Sequence, residues 1–190
     1  MQPRELIDFL GVIEKLKCNT RHSWTSSGRH ESIAEHCWRL SVMALLVAEE
    51  FPSADIGKVV KMCLIHDFGE AITGDIPSFR KTAMDEEREA LAIADLLGRL
   101  PEEVGSEFRA LFAEMAEMKS LEAKLFKALD NLEAIVSHNE APLETWLPNV
   151  YEDNLTYGKE NVAFSEYLRA LKAEIMRDGL KKIDGDGDLY

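Results

Sequence analysis

Between Cys63 and Asp75 the chain reads CLIHDFGEAITGD, and four of those residues, His66, Asp67, Glu70 and Asp75, carry groups from which metal and acid–base sites are made. They follow the apolar run Val59-Val60-Lys61-Met62-Cys63-Leu64-Ile65, which takes the backbone into the interior. On a helix, His66 and Glu70 lie four apart and Asp67 and Glu70 three apart, so all three share one sector. Burying unpaired charge there costs on the order of several kcal/mol, so something must compensate the carboxylates. A divalent cation is the economical compensation, because neutral imidazole and ionised carboxylate are ligands that intermediate divalent metals accept.

Adjacent residues cannot close such a site alone, and two further segments offer a ligand type at an awkward position. His36 follows Ser32-Ile33-Ala34-Glu35 and precedes CWRLSVMALLV. Asp130 lies in AKLFKALDNLEAIV, among Leu125, Phe126, Leu129, Leu132 and Ile135, where an aspartate is unfavourable by propensity and by burial. Each has a plainer reading. A His-Asp dipeptide arises by chance, His36 fits a hydrogen-bonded helix residue, and Asp130 fits an ion pair with Lys127 or Lys124. Their coincidence on three separate helices is what gives the metal reading weight.

The elements that must position these residues are helical. Leu6, Phe9, Leu10, Ile13 and Leu16 recur at helical spacing, as do Leu40, Met43, Ala44, Val47 and Phe51. Alternating strand patterns are scarce, so the expected fold is all-α. Ser32 and Glu35 form a capping box that starts the second helix near Ser32. A third helix is predicted over 54 to 72, ended by Gly74. The segment Ile76 to Met84 reads as a loop, and further helices are predicted over 85 to 98, 102 to 117, 120 to 139 and 160 to 177.

With 190 residues and 46% hydrophobic composition the chain reads as a single domain over 1–180, followed by an acidic, disordered tail over 181–190. That tail opens like a calcium loop, but it lacks the required glycine and the closing glutamate. Cys18, Cys37 and Cys63 include no CxxC pair, so neither a disulfide framework nor a zinc ribbon is suggested, and all three read as small buried hydrophobes. A net charge of -13 disfavours binding to a polyphosphate backbone, which excludes nucleic acid as the expected partner. The longest apolar stretch, Val42 to Ala48, is too short to cross a bilayer, and the start, with Arg4, Glu5 and Asp8, does not look like a signal peptide. The expectation is a soluble, cytoplasmic protein that acts on a small molecule and makes no use of a membrane.

The order His36, His66-Asp67, Asp130 resembles the signature of HD-domain metal-dependent phosphohydrolases. The stretches LKCNTRHSW, RHESIAEHCWRL and CLIHDFGEAITGDIP, with EER after the loop, are similar to the short members of 5'-deoxynucleotidase type, over roughly residues 6 to 140. This resemblance implies a helical HD bundle, plausibly a homodimer, in which His36, His66, Asp67 and Asp130 bind one divalent metal ion (Mn, Co, Ni, Fe, Zn or Mg). It also implies acidic residues beside the metal at Glu70 and Asp75, and a nucleotide-facing pair at Arg21 and Trp24. The chain departs from some bacterial members in one respect: His22 and Ser23 separate Arg21 from Trp24.

The activity implied is hydrolysis of nucleoside, especially deoxynucleoside, 5'-monophosphates. A four-ligand metal keeps positions open for water and a phosphate oxygen. Glu70 is then placed to take the water proton, and Asp75 either protonates the leaving oxygen or caps the loop after Gly74. Arg21 offers a bidentate fork to phosphate and Trp24 a flat wall, against the alternative of an exposed arginine and a core tryptophan. Lys81 either adds charge over the phosphate or is an ordinary solvated lysine. Glu31 and His138 read as structural, and nothing singles out His22 or His30. Two rivals stand beside this reading: an HD hydrolase of another phosphoester (polyphosphate, cyclic nucleotide or alarmone), and a non-catalytic scaffold that binds metal or nucleotide.

Overall fold

The computed structural model describes residues 1–185. Its centre is three helices, α3 (Ile33–Leu46), α4 (Ile56–Ile65) and α8 (Leu121–Glu140), packed through Leu40, Ala44, Val59, Met62, Leu125, Leu129 and Leu132, all fully buried. Helix α10 (Glu166–Asp184) covers α8 with Leu168 and Ile175. On the other side α6 (Ala83–Gly98) and α7 (Glu102–Glu117) close a second cluster, where Leu96, Leu97 and Leu100 pack with Phe9 of α1 (Pro3–Ile13). Short α2 (Lys15–Cys18) follows α1. Among the described residues no helix is long and apolar enough to cross a membrane.

The helix starts are set locally. Ser32 accepts the Glu35 amide while the Glu35 carboxylate accepts the Ser32 amide, the reciprocal capping pair expected at this position. Thr82 with Asp85 repeats the device for α6, and Asp55, Ser120 and Ser165 cap α4, α8 and α10 singly. The left-handed Gly74, at φ 76°, ends the run that begins at Glu70.

Several elements differ from the sequence expectation. The helix predicted over 54 to 72 is two: α4 stops at Ile65, and α5 (Glu70–Thr73) follows after a tight turn. In that turn Phe68 bonds back to Ile65 and Glu70 to Asp67, both three residues away rather than four. At this turn α6 crosses so closely that a Cβ on Gly69 would lie 2.6 Å from Glu89 Cγ, 3.0 Å from Ile93 Cγ1 and 3.2 Å from the Glu89 carbonyl oxygen.

A hairpin of β1 (Thr20–Trp24) and β2 (His30–Ser32), too short to show alternation, pairs antiparallel with Thr20 opposite Ser32 and Trp24 opposite His30. Helix α9 (Val150–Thr156) was not anticipated, and the helix predicted over 160 to 177 is displaced to α10, because Ser165 supplies its cap. α10 continues past 181, where the acidic tail was expected to begin, while residues 186–190 lie outside those described. Cys37 and Cys63 are buried as expected, but Cys18 is exposed at the end of α2.

Replacing Gly69 with alanine must push α6 outward. Gly69→Ala is expected to destabilise the protein by about 1–3 kcal/mol, as overpacking typically does, and urea unfolding should show the loss in midpoint without a change in slope.

Candidate metal centre and active site

Four side chains converge from three helices. The capping pair at Ser32 places His36 in the first turn of α3, where it is 1% exposed and faces α8. The last turn of α4 delivers His66, the tight turn after it delivers Asp67, and the middle of α8 delivers Asp130. His36 Nε2 lies 3.2 Å from Asp130 Oδ1, His66 Nε2 lies 3.1 Å from Asp67 Oδ2, and His66 Nε2 lies 3.8 Å from Asp130 Oδ1. The ligand atoms of His36, His66 and Asp67 all fall within 4.8 Å of one another.

The far sides of both imidazoles are spoken for. His66 Nδ1 lies 2.9 Å from the Cys63 carbonyl oxygen, which can only accept, so Nδ1 carries the proton. His36 Nδ1 faces the Glu133 carboxylate in a short contact and donates to it. Each ring therefore turns Nε2 toward the centre. Two imidazoles and two carboxylates there match the charge and donor preference of one divalent ion. A second sign is Glu70 Oε2, buried with no hydrogen-bond partner among the described residues. The donor set thus fits a metal.

The electrostatics show how much charge this pocket concentrates. Burial opposes ionisation of Asp67, yet the His66 imidazole holds its carboxyl down to about 2. Asp130 is likewise held well below the usual range by Lys127, 2.7 Å from its Oδ2, and by the two imidazoles. The ion pair with Lys127 that a plain reading of Asp130 suggested is thus present, but it engages one oxygen and leaves the other facing the histidines. Glu70 goes the other way: burial, then Asp67, Asp75 and Glu89, push it up to about 9. Asp75 is also raised, by burial first and by Asp67.

A cavity of about 280 Å³ opens onto this cluster. Arg21, His36, His66, Asp67, Glu70, Asp75, Lys81 and Asp130 all line it. Trp24 does not. The pairing of β1 with β2 is irregular between Thr20 and Trp24, and Arg21 and His22 face the cavity while Trp24 is turned off it. Trp24 stacks on His30 at 4.0 Å between ring centroids and lines a small adjoining recess. Lys81 is at the wall but ion-paired to Glu89 of α6.

Behind the ligands lies a layer in which Glu31 is structural, as expected, and Glu133 is an addition. Glu133, one turn beyond Asp130, is completely buried; Arg39 Nε donates to it at 2.6 Å, and Arg21 Nη1 lies 3.4 Å from it and 3.3 Å from Glu31. Glu31, His36 and Glu133 also converge, but the two guanidinium groups already neutralise that cluster, so it is an ion-pair network. The signal for Glu133 was available: like Asp130, it is an acid inside an apolar helical stretch.

The HD domain family matches residues 13–172. The 5'-deoxynucleotidase HDDC2 of Bos taurus is 34% identical over 141 residues, covering 72% of this chain and 68% of that protein. The 5'-deoxynucleotidase HDDC2 of Dictyostelium discoideum is 32% identical over 144 residues, covering 70% and 76%. Among solved structures, a predicted metal-dependent phosphohydrolase from Magnetospirillum magnetotacticum superposes with a TM-score of 0.71 at 33% identity, covering 93% of each chain.

Because Glu133 fixes which nitrogen of His36 faces the centre, Glu133→Gln is expected to weaken divalent-metal binding by about 10–100-fold. Chelator competition on the purified variant reads this directly, with circular dichroism as the control that the helices remain.

Proposed function

Since the chain belongs to the HD domain family, we propose that it is a metal-dependent phosphohydrolase that cleaves nucleoside 5'-monophosphates, deoxynucleotides foremost, to nucleoside and phosphate. The observation that carries this reading is the joining, in one cavity, of a two-histidine, two-aspartate donor set with Glu70, Asp75 and Arg21. A binding scaffold has no need of two raised carboxyl groups beside its metal. The similarity to 5'-deoxynucleotidases supplies the substrate class. The cavity volume, at the small end for ligand sites, favours a monophosphate over a polyphosphate.

His36, His66, Asp67 and Asp130 hold the ion, which when bound supplies Lewis acidity to the phosphoryl group and to the attacking water. Arg21, kept charged by Glu31 and Glu133 despite burial, binds phosphate oxygens. Glu70 orients the water and takes its proton as the oxygen attacks phosphorus and the bond from phosphorus to the 5'-oxygen breaks. Burial and the neighbouring carboxylates push Glu70 up to about 9, so to act as base it would draw on the positive charge of the bound ion. Asp75, raised by burial, gives a proton to the departing 5'-oxygen. Lys81, tied to Glu89, adds positive charge at the rim.

A homodimer belongs to the same reading. Leu6, Ile7 and Leu10 of α1 and Trp38, Leu45 and Leu46 of α3 are exposed apolar side chains, and a groove between these helices is lined by Leu10, Ile13, Ala34 and Leu64. Sedimentation equilibrium returning a monomer at micromolar concentration would remove this part.

The activity is tested by phosphate release from ribo- and deoxyribonucleoside 5'-monophosphates after stripping the metal and adding back Mg, Mn, Co or Zn. Release should depend on the metal, and Glu70→Gln should lower kcat by ~10²–10⁴-fold while metal still binds. Metal binding with silence across the panel would shift the assignment to another phosphoester or to a regulatory scaffold.

A further inference from the structure

The far end of the cavity is built differently from the metal end. Its wall contains His22 of β1, Phe79 of the loop before α6, Ile135 and His138 of α8, and Val150 and Asn154 of α9. Carboxylate and guanidinium groups crowd the metal end; this end offers rings, aliphatic surface and the polar atoms of imidazole and amide groups. His22 meets Phe79 edge-on at 5.6 Å and His138 at 5.1 Å between centroids.

A chain of hydrogen bonds fixes the polar atoms. The Ile175 carbonyl oxygen can only accept, so Asn139 Nδ2 donates to it at 2.7 Å. Asn139 Oδ1 then accepts from Asn154 Nδ2 at 3.3 Å, which turns Asn154 Oδ1 toward His138 Nδ1 at 2.9 Å. His138 Nδ1 is therefore a donor, and its Nε2 lies 3.2 Å from His22 Nε2, joining the two rings by a hydrogen bond. Burial, with His138 and Arg21 nearby, holds His22 neutral by pushing it down to about 4.

The position of this wall relative to the chemistry identifies what it meets. The Asp75 carboxylate accepts the backbone N–H of His22, so the group that serves the leaving oxygen is anchored to the wall itself. In a nucleotide the leaving group is the nucleoside. On the reading of the site as a nucleotidase, we propose that His22, His138 and Asn154 form the subsite for the nucleobase, a wall of rings and directed polar atoms that orients the base while the metal end holds the phosphate. The late segment around α9, which lies beyond the stretch carrying the family motifs, is then part of the substrate site and not a mere cover for α8.

The wall does not suit the phosphate end. No carboxylate or thiol joins the histidine pair as a metal cluster among the described residues. Flat rings beside aliphatic side chains and a few directed polar atoms are instead the usual lining for a planar heterocycle.

The test compares His22→Phe, which keeps a ring at the cavity edge, and Asn154→Leu with the wild-type protein. Binding of deoxyadenosine and thymidine is measured by calorimetry on metal-loaded protein, and turnover is measured with deoxynucleoside 5'-monophosphates and with 2-deoxyribose 5-phosphate, which lacks the base. The variants should bind at least one nucleoside roughly tenfold more weakly, about one hydrogen bond's worth. They should raise KM for its nucleotide and leave kcat/KM for 2-deoxyribose 5-phosphate within about twofold of wild type. Parallel losses on both substrates would show a structural role and overturn the subsite, as would nucleoside binding unchanged in both variants or absent from the wild-type protein. Absence of turnover on every substrate, with nucleoside binding still weakened in the variants, would overturn the nucleotidase reading and leave the base subsite standing.

Discussion

Glu133 has none of its surface exposed, yet it stays ionised, held at about 2 against burial by His36, Arg21 and Arg39. Much of the active-site architecture depends on that one buried carboxylate. Removing a single partner from such a cluster leaves uncompensated charge in the core, which costs on the order of 3–5 kcal/mol. The network therefore locks α3, α8 and the β1–β2 hairpin into one arrangement. It also sets the tautomer of His36 and holds Arg21 at the cavity wall, so stabilising the core and orienting the site are the same set of contacts.

The second determinant is the change of winding after Ile65. Had the helix continued, Asp67 and Glu70 would have shared one sector about 60° apart without being stacked. The three-residue winding stacks them, since side chains three apart eclipse in a 3₁₀ geometry. That stacking brings the Glu70 carboxyl into the field of Asp67 and Asp75 and under α6, which is why its proton is held so tightly. Gly69 makes this possible by letting α6 approach the turn without a Cβ between them. The glycine and the raised carboxyl are thus linked: close packing of α6 is what desolvates the acid.

The cavity divides by polarity. One end is dominated by ionised groups arranged around a cation-sized centre, the other by imidazoles, an amide and apolar side chains. A phosphate ester has the same division, with charge at one end and a flat, sparsely polar group at the other. The two ends are covalently close, because Arg21 and His22 are neighbours on one strand and send their side chains to different parts of the same cavity.

Much of this was legible in the chain. The helical periodicity, the Ser32 capping box and the Gly74 stop are local effects, decided within a turn or two of backbone, so the helices and the depth of His36 in α3 follow from short-range chemistry. His66, Asp67 and Asp130 stand out because a polar residue in an apolar stretch is costly wherever the helix packs. What the chain alone could not decide depended on contacts far apart in sequence. The break between α4 and α5 lies where α6 packs closely on Gly69. The turning of Trp24 away from the cavity accompanies the irregular pairing of β1 with β2 and its stacking on His30, contacts between separate segments. Glu133, His138 and Asn154 have their parts assigned by partners 97, 116 and 15 residues away. Sequence determines which groups must find compensation for burial; only the tertiary structure decides which partner provides it, because that depends on which helices meet.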